Sequence, residues 1–169
     1  SGTSAEVTID ESAPTISSAV TGSATTAVTV TFSEALDATT IDADGSDFTV
    51  GAVAATAAVV DADNGAVVNL TVTALATDAK PEVKVVTTDG LKDKAGNSAV
   101  RNSVVTAADG TKPAVTITID KALAITDGVV KVTAVTDEKL RADGLIVSIN
   151  GTLLSTSAAT PLNNEGSRT

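Results

Sequence analysis

The sequence predicts an all-β chain made of tandem sandwiches, and three observations carry that expectation. Short runs of Val, Thr, Ile and Ala alternate apolar with polar residues, as at Val28-Thr29-Val30-Thr31-Phe32, which suits a pleated, half-buried strand. Gly, Asn and Asp pairs punctuate these runs at intervals suited to tight turns. A proline junction, Ala13-Pro14-Thr15, recurs as Lys112-Pro113-Ala114, 99 positions later. Recurrence at one spacing marks a repeated unit.

In chain order, residues 1–11 read as a lead-in or the end of a preceding unit, with a strand-like piece at 6–9. Pro14 removes a backbone donor and holds its predecessor extended, which makes a short, stiff junction. Seven strands are then expected: Thr15–Val20, Ala27–Phe32, Asp47–Val50, Val53–Val60, Val67–Thr73, Glu82–Thr87 and Ser103–Ala107. Val28, Val30 and Phe32 should face inward, and so should Val68, Leu70 and Val72. Gly22-Ser23, Asp44-Gly45, Asn64-Gly65, Asp89-Gly90 and Gly96-Asn97 are the turn signals between strands. Seven short strands in about 100 residues make the 12–109 unit an immunoglobulin-like β-sandwich.

The 110–169 segment opens a second immunoglobulin-like sandwich. Asp109 precedes Pro113 by four residues, as Asp10 precedes Pro14, and Glu138-x-Leu140 repeats Glu34-x-Leu36 at a spacing of 104. Val115–Ile119, Val129–Val135 and Leu145–Ile149 are its expected opening strands. Too few residues follow for seven comparable strands, so the second sandwich is expected to be incomplete, or to take its missing strands from elsewhere. The absence of Met, even at position 1, reads as an excised segment.

Composition limits the chemistry. Aromatic residues make up 1% of the chain, so Val, Ala, Ile and Leu must build the core around Phe32 and Phe48. A net charge of −10 argues against nucleic acid, whose phosphates need a basic surface. Without Cys there are no disulfides, thiolate metal sites or thiol catalysis. Without His, Cys or Tyr no nucleophile–base pair of the usual kinds can form, and no Gly-rich phosphate loop is present. The chain is therefore expected to be no enzyme. No apolar run reaches membrane-spanning length.

VTVTFSEALD at 28–37, DFTV at 47–50 and GLKDKAGN at 90–97 resemble bacterial Ig-like domains of the S-layer and large surface-adhesin type. In that family a strand ending in TFSE and a late DxAGN loop recur in this order, joined by APT-like linkers. The resemblance covers residues 12–108, and residues 111–169 share the proline junction and the first strands. It implies an extracellular structural module at the cell surface or wall, often in long arrays, with calcium frequent at domain ends. The expected partners are neighbouring copies of the chain and adjacent domains of its parent. Adhesin stalks and accessory domains of secreted enzymes share these motifs and stay open as alternatives.

Calcium takes six to eight hard oxygen ligands. Loops from distant strands gather at one end of a sandwich, so Glu34, Asp37, Asp93 and Asn97 are expected to meet there, with Asp109 of the junction or with Asp137 and Glu138. Asp42-Ala43-Asp44-Gly45-Ser46-Asp47 and Asp61-Ala62-Asp63-Asn64-Gly65 also look like calcium loops, but both lack EF-hand spacing and suit plain turn chemistry. Asn69-Leu70-Thr71 and Asn150-Gly151-Thr152 match the glycosylation acceptor pattern.

Overall fold

The structure, a computed structural model, describes residues 9–87, 90–119, 132–138, 140, 148–149 and 152–153. The strand expected at 6–9 (apart from Ile9), the Asn150 acceptor and the chain end from 154 lie outside them. So do parts of the strands expected at 129–135 and 145–149. The chain divides into two compact units, Ser1–Thr111 and Lys112–Thr169. Every regular element among the described residues is a strand, and no helix there is long and apolar enough to cross a membrane.

The first unit holds β1 (Ile16–Thr21), β2 (Ala27–Phe32), β3 (Phe48–Val50), β4 (Val53–Ala54), β5 (Ala57–Val60), β6 (Val67–Thr71), β7 (Glu82–Val85) and β8 (Val104–Thr106). They form two four-stranded antiparallel sheets, ordered β1-β2-β6-β5 and β4-β3-β7-β8. This is the immunoglobulin arrangement of strands ABED against CFG, with β4 added beside C. The single strand expected over Val53–Val60 is two strands in different sheets: β4 pairs with β3, and β5 with β6. The chain keeps its direction and changes sheet at Ala55-Thr56, a crossing that local alternation does not encode.

The inward faces match the alternation. Val28, Val30 and Phe32 of β2 are buried, as are Val68 and Leu70 of β6 and Val72 just beyond it. In β1 a bulge at Ser17 shifts the register between Ile16 and Ser18. The extra residue re-phases the strand so that Ile16, Ala19 and Thr21 all turn inward. The two phenylalanines meet across the sheets edge to face, with ring centroids 6.2 Å apart, a favourable aromatic geometry. Valine and alanine fill most of the remaining core.

The chain makes seven passes through this unit, counting β4 and β5 as one. An odd number puts the incoming segment and the outgoing segment at opposite poles. At the incoming pole Pro14 is buried, its carbonyl accepts the Val100 amide at 2.9 Å, and the Ile16 amide donates to Ser103 Oγ at 2.8 Å. At the outgoing pole Ala108 exchanges backbone hydrogen bonds with β1: its amide donates to Ala19 O and its carbonyl accepts from Thr21 N, each at 2.9 Å.

In the second unit β9 (Val115–Ile119) pairs antiparallel with β10 (Val132–Thr136), and β11 (Ser148–Ile149) with β12 (Thr152–Leu153). The β9–β10 start copies that of β1–β2. In the first unit the Thr15 amide donates to Ser33 Oγ at 3.1 Å, and Thr15 O accepts the Ser33 amide at 2.9 Å. In the second the Ala114 amide donates to Asp137 Oδ1 at 2.7 Å, and Ala114 O accepts the Asp137 amide at 3.3 Å. Each clasp joins the residue after the proline to the residue before the glutamate of the Glu-x-Leu pair.

Candidate functional site: an acidic cluster at the incoming pole

Two loops build the cluster, and each is held by a buried leucine. After β2 the chain turns through Ser33 to Asp37, with Leu36 buried and its amide donating to Gly65 O at 2.9 Å. After β7, buried Leu91 and Ala99 close a small hairpin in which the Ala99 amide donates to Leu91 O at 2.8 Å. The tip is Asp93-Lys94-Ala95-Gly96-Asn97. The Gly96 amide donates to Asp93 O at 3.3 Å, the Asp93 amide to Asn97 O at 3.0 Å, and Gly96 has φ +96°. This is a type I turn closed by a glycine bulge, which explains the glycine of the motif. Leu36 and Asp93 form a β-bridge that ties the two loops together.

Asp93 is 4% exposed and aimed by its own loop. Its Oδ1 accepts the Asn97 amide at 2.8 Å, and its Oδ2 accepts Asn97 Nδ2 at 2.8 Å. Burial pushes its carboxyl upward, but the hydrogen bonds from the Asn97 side chain and from the Asn97, Gly96 and Ala95 amides outweigh it, so it lies below the ordinary aspartate value of 3.8. Asn97 Nδ2 also donates to the backbone carbonyl of Asp10 at 3.1 Å, which draws the incoming segment onto the loop.

Asp10, Glu34 and Asp93 each place a carboxylate oxygen within 4.8 Å of the other two, the one such acidic group among the described residues. Burial first, then the charges of Asp10 and Asp93 and a side-chain hydrogen bond with Asp93, push Glu34 above its ordinary 4.5. Crowded like charges favour either a proton or a cation. Three hard oxygens converging beside a backbone carbonyl fit a divalent cation such as calcium, with water completing the shell.

The structure brings together Glu34, Asp93 and Asn97, and it places the other two expected ligands elsewhere. Asp37 Oδ1 accepts from the Thr39 amide at 2.9 Å and the Thr39 hydroxyl at 2.7 Å. Those two bonds, helped by Lys94, hold Asp37 below 3.8. Asp109 Oδ1 accepts the Thr111 amide at 3.1 Å, beyond β8 at the outgoing pole. Asp10, absent from the expected set, is the third carboxylate beside Glu34 and Asp93. Its signal was present in the shared four-residue spacing to the proline.

The two look-alike loops are turn chemistry. Asp61 Oδ1 accepts from the Asp63 and Asn64 amides at 3.0 and 3.1 Å. Asp44 Oδ1 accepts the Ser46 amide at 2.9 Å, and Gly45 takes the positive φ of that loop. Asn69 lies exposed on β6, with its amide spanning Thr29 Oγ1 and Asp61 Oδ2, each at 3.2 Å.

No protein-family model matches the chain, and no curated protein matches it in sequence. Among solved structures, the chain is similar over 86% of its length to the S-layer protein rSbsC(31-844), with 21% identity and a TM-score of 0.46, and it covers 22% of that chain.

Proposed function

We propose that this chain is a structural module of a cell-surface layer protein, with successive immunoglobulin-like units setting spacing and neighbouring copies as its assembly partners. The repeated clasp carries the reading: a proline, a backbone exchange and a side-chain acceptor recur in the second unit at the equivalent positions. A unit that receives its chain at one pole and releases it at the other suits serial extension. The motifs at 28–37 and 90–97 support an extracellular setting. The lack of His, Cys, Tyr and Trp supports a mechanical rather than a catalytic role. Calcium is the cofactor in this reading, held by Asp10, Glu34 and Asp93, where it would neutralise the crowded carboxylates and bind the incoming segment to the late loop.

The test is to strip divalent cations from the chain, restore calcium, and follow melting temperature and particle form by electron microscopy. Stabilisation with ordered lateral arrays is the expected result, since a ligand that binds the folded form raises its stability. An unchanged melting curve removes calcium from the reading. Single rods that never associate laterally make the module a stalk or spacer instead.

A further inference from the structure

Asp47, immediately before β3, is 1% exposed, and its two carboxyl oxygens meet different fates. Oδ2 accepts the Asp42 amide at 2.8 Å. Oδ1 is closed off from solvent and has no hydrogen-bond partner. The residue itself is pinned, since its carbonyl accepts the Val86 amide at 2.9 Å just beyond β7. Facing Oδ1 are Thr87 and Gly90. A methyl group added to Gly90 would stand 3.0 Å from Asp47 Oδ1 and 2.9 Å from Thr87 Oγ1, so the two oxygens converge on the same small space.

The charges acting on Asp47 among the described residues are those of Asp42 and Asp44, both negative and both on its own loop. Their carboxylates are already engaged with Ser46, Asp42 Oδ2 with its hydroxyl and Asp44 Oδ1 with its amide. An ionised carboxylate would therefore set an oxygen closed off from water, with the Thr87 hydroxyl as its one facing donor, beside two like charges, a costly arrangement. Thr87 Oγ1 accepts the Gly90 amide at 3.2 Å and keeps a second lone pair to receive a carboxyl proton.

We propose that Asp47 folds as the neutral carboxylic acid, its Oδ1 proton directed toward Thr87 Oγ1, and that its ionisation releases a pH-sensitive latch between the 42–47 loop and the segment after β7. Burial is the largest influence, and it raises the carboxyl above 3.8. The Asp42 amide opposes it, the Asp42 charge adds to it, the Thr87 hydroxyl opposes it, and the Asp44 charge adds again. A group raised in the folded state contributes its full stability below the unfolded value of 3.8 and loses it as pH climbs through the folded value.

The direct test is a carbon-detected NMR titration of the Asp47 side-chain carboxyl in the intact chain. A midpoint above 3.8 is expected, and one at or below 3.8 overturns the latch. The second arm compares melting of the chain with Asp47→Asn, which keeps the Oδ acceptor for Asp42 and offers an N–H to Thr87. The variant should gain on the parent progressively as pH rises from acid to neutral. A variant less stable than the parent at neutral pH, with the gap closing in acid, shows an ionised, stabilising carboxylate and refutes the proposal. Identical curves at every pH refute it as well.

Discussion

Replacing Gly110 with alanine should loosen the outgoing segment of the first unit, and the cost can be worked from its neighbours. The Gly110 amide donates to Thr21 Oγ1 at 2.9 Å, and the Thr111 hydroxyl donates to Gly22 O at 3.2 Å. An alanine methyl at 110 would overlap the carbonyl oxygen of Thr21 and lie 2.7 Å from Val20 Cγ2. Thr21 cannot retreat, because it ends β1 in register with Val28 of β2. The segment from 110 must peel away instead and forfeit both bonds, at about 0.5–1.5 kcal/mol each. Removing a glycine also stabilises by about 0.4–1 kcal/mol through the unfolded chain. That gain applies here, since Gly110 does not have the positive φ of Gly45, Gly51 or Gly96. The net loss is about 1–2 kcal/mol, to be read by urea unfolding, and at roughly 4–8 °C per kcal/mol it shows clearly in the melting temperature. Amide exchange at Gly110 locates the damage, and Gly96→Ala serves as the comparison. That residue has φ +96° and open space around it, so its cost is backbone strain that leaves the 110 amide protected. A Gly110→Ala protein as stable as its parent, with the Gly110 amide still protected, would refute the argument that close packing anchors this pole.

Two further outcomes follow from the same geometry. Gly51 and Ala52 form the two-residue turn between β3 and β4, both with positive φ, and alanine is strained there. Ala52→Gly should raise stability by about 0.5–1 kcal/mol in denaturant titration, the left-handed strain of alanine exceeding the entropic cost of glycine. Asn97→Ala removes a donor that holds Asp93 below 3.8. A lowered carboxylate stabilises above its unfolded value and loses that contribution as pH falls through the folded one. The variant should therefore show a higher Asp93 titration midpoint by NMR and unfold at a higher pH on acidification. An unmoved midpoint would mean that the side-chain bond does not set the Asp93 charge.

Much of the first unit could be read directly from residue order. Burial of Val28, Val30, Phe32, Val68 and Leu70 follows from a two-residue period that needs no partner to be recognised. The break in Val53–Val60 could not be read that way, because β4 and β5 are chosen by different sheets. The bulge at Ser17 is similar: it shows only against the register of β2.

The candidate site divides along the same line. Sequence alone raised the expectation that acidic residues after the second strand and in the late loop share one end of the sandwich, because loops from distant strands gather there, and the structure sets Glu34 beside Asp93. Sequence also held the key to the pole. Seven passes put Asp109 at the pole opposite Asp10, so Asp109 cannot join the Asp10, Glu34 and Asp93 group of its own unit. Tertiary structure alone decided where each carboxylate spends its oxygens: Asp37 on Thr39, Asp109 on Thr111, Asp93 on Asn97, and Asp47 with one oxygen left unpaired. The physical reason is range. Alternation and turn chemistry act over two to four residues, whereas the surroundings of a carboxylate are set by whatever distant strand packs against it.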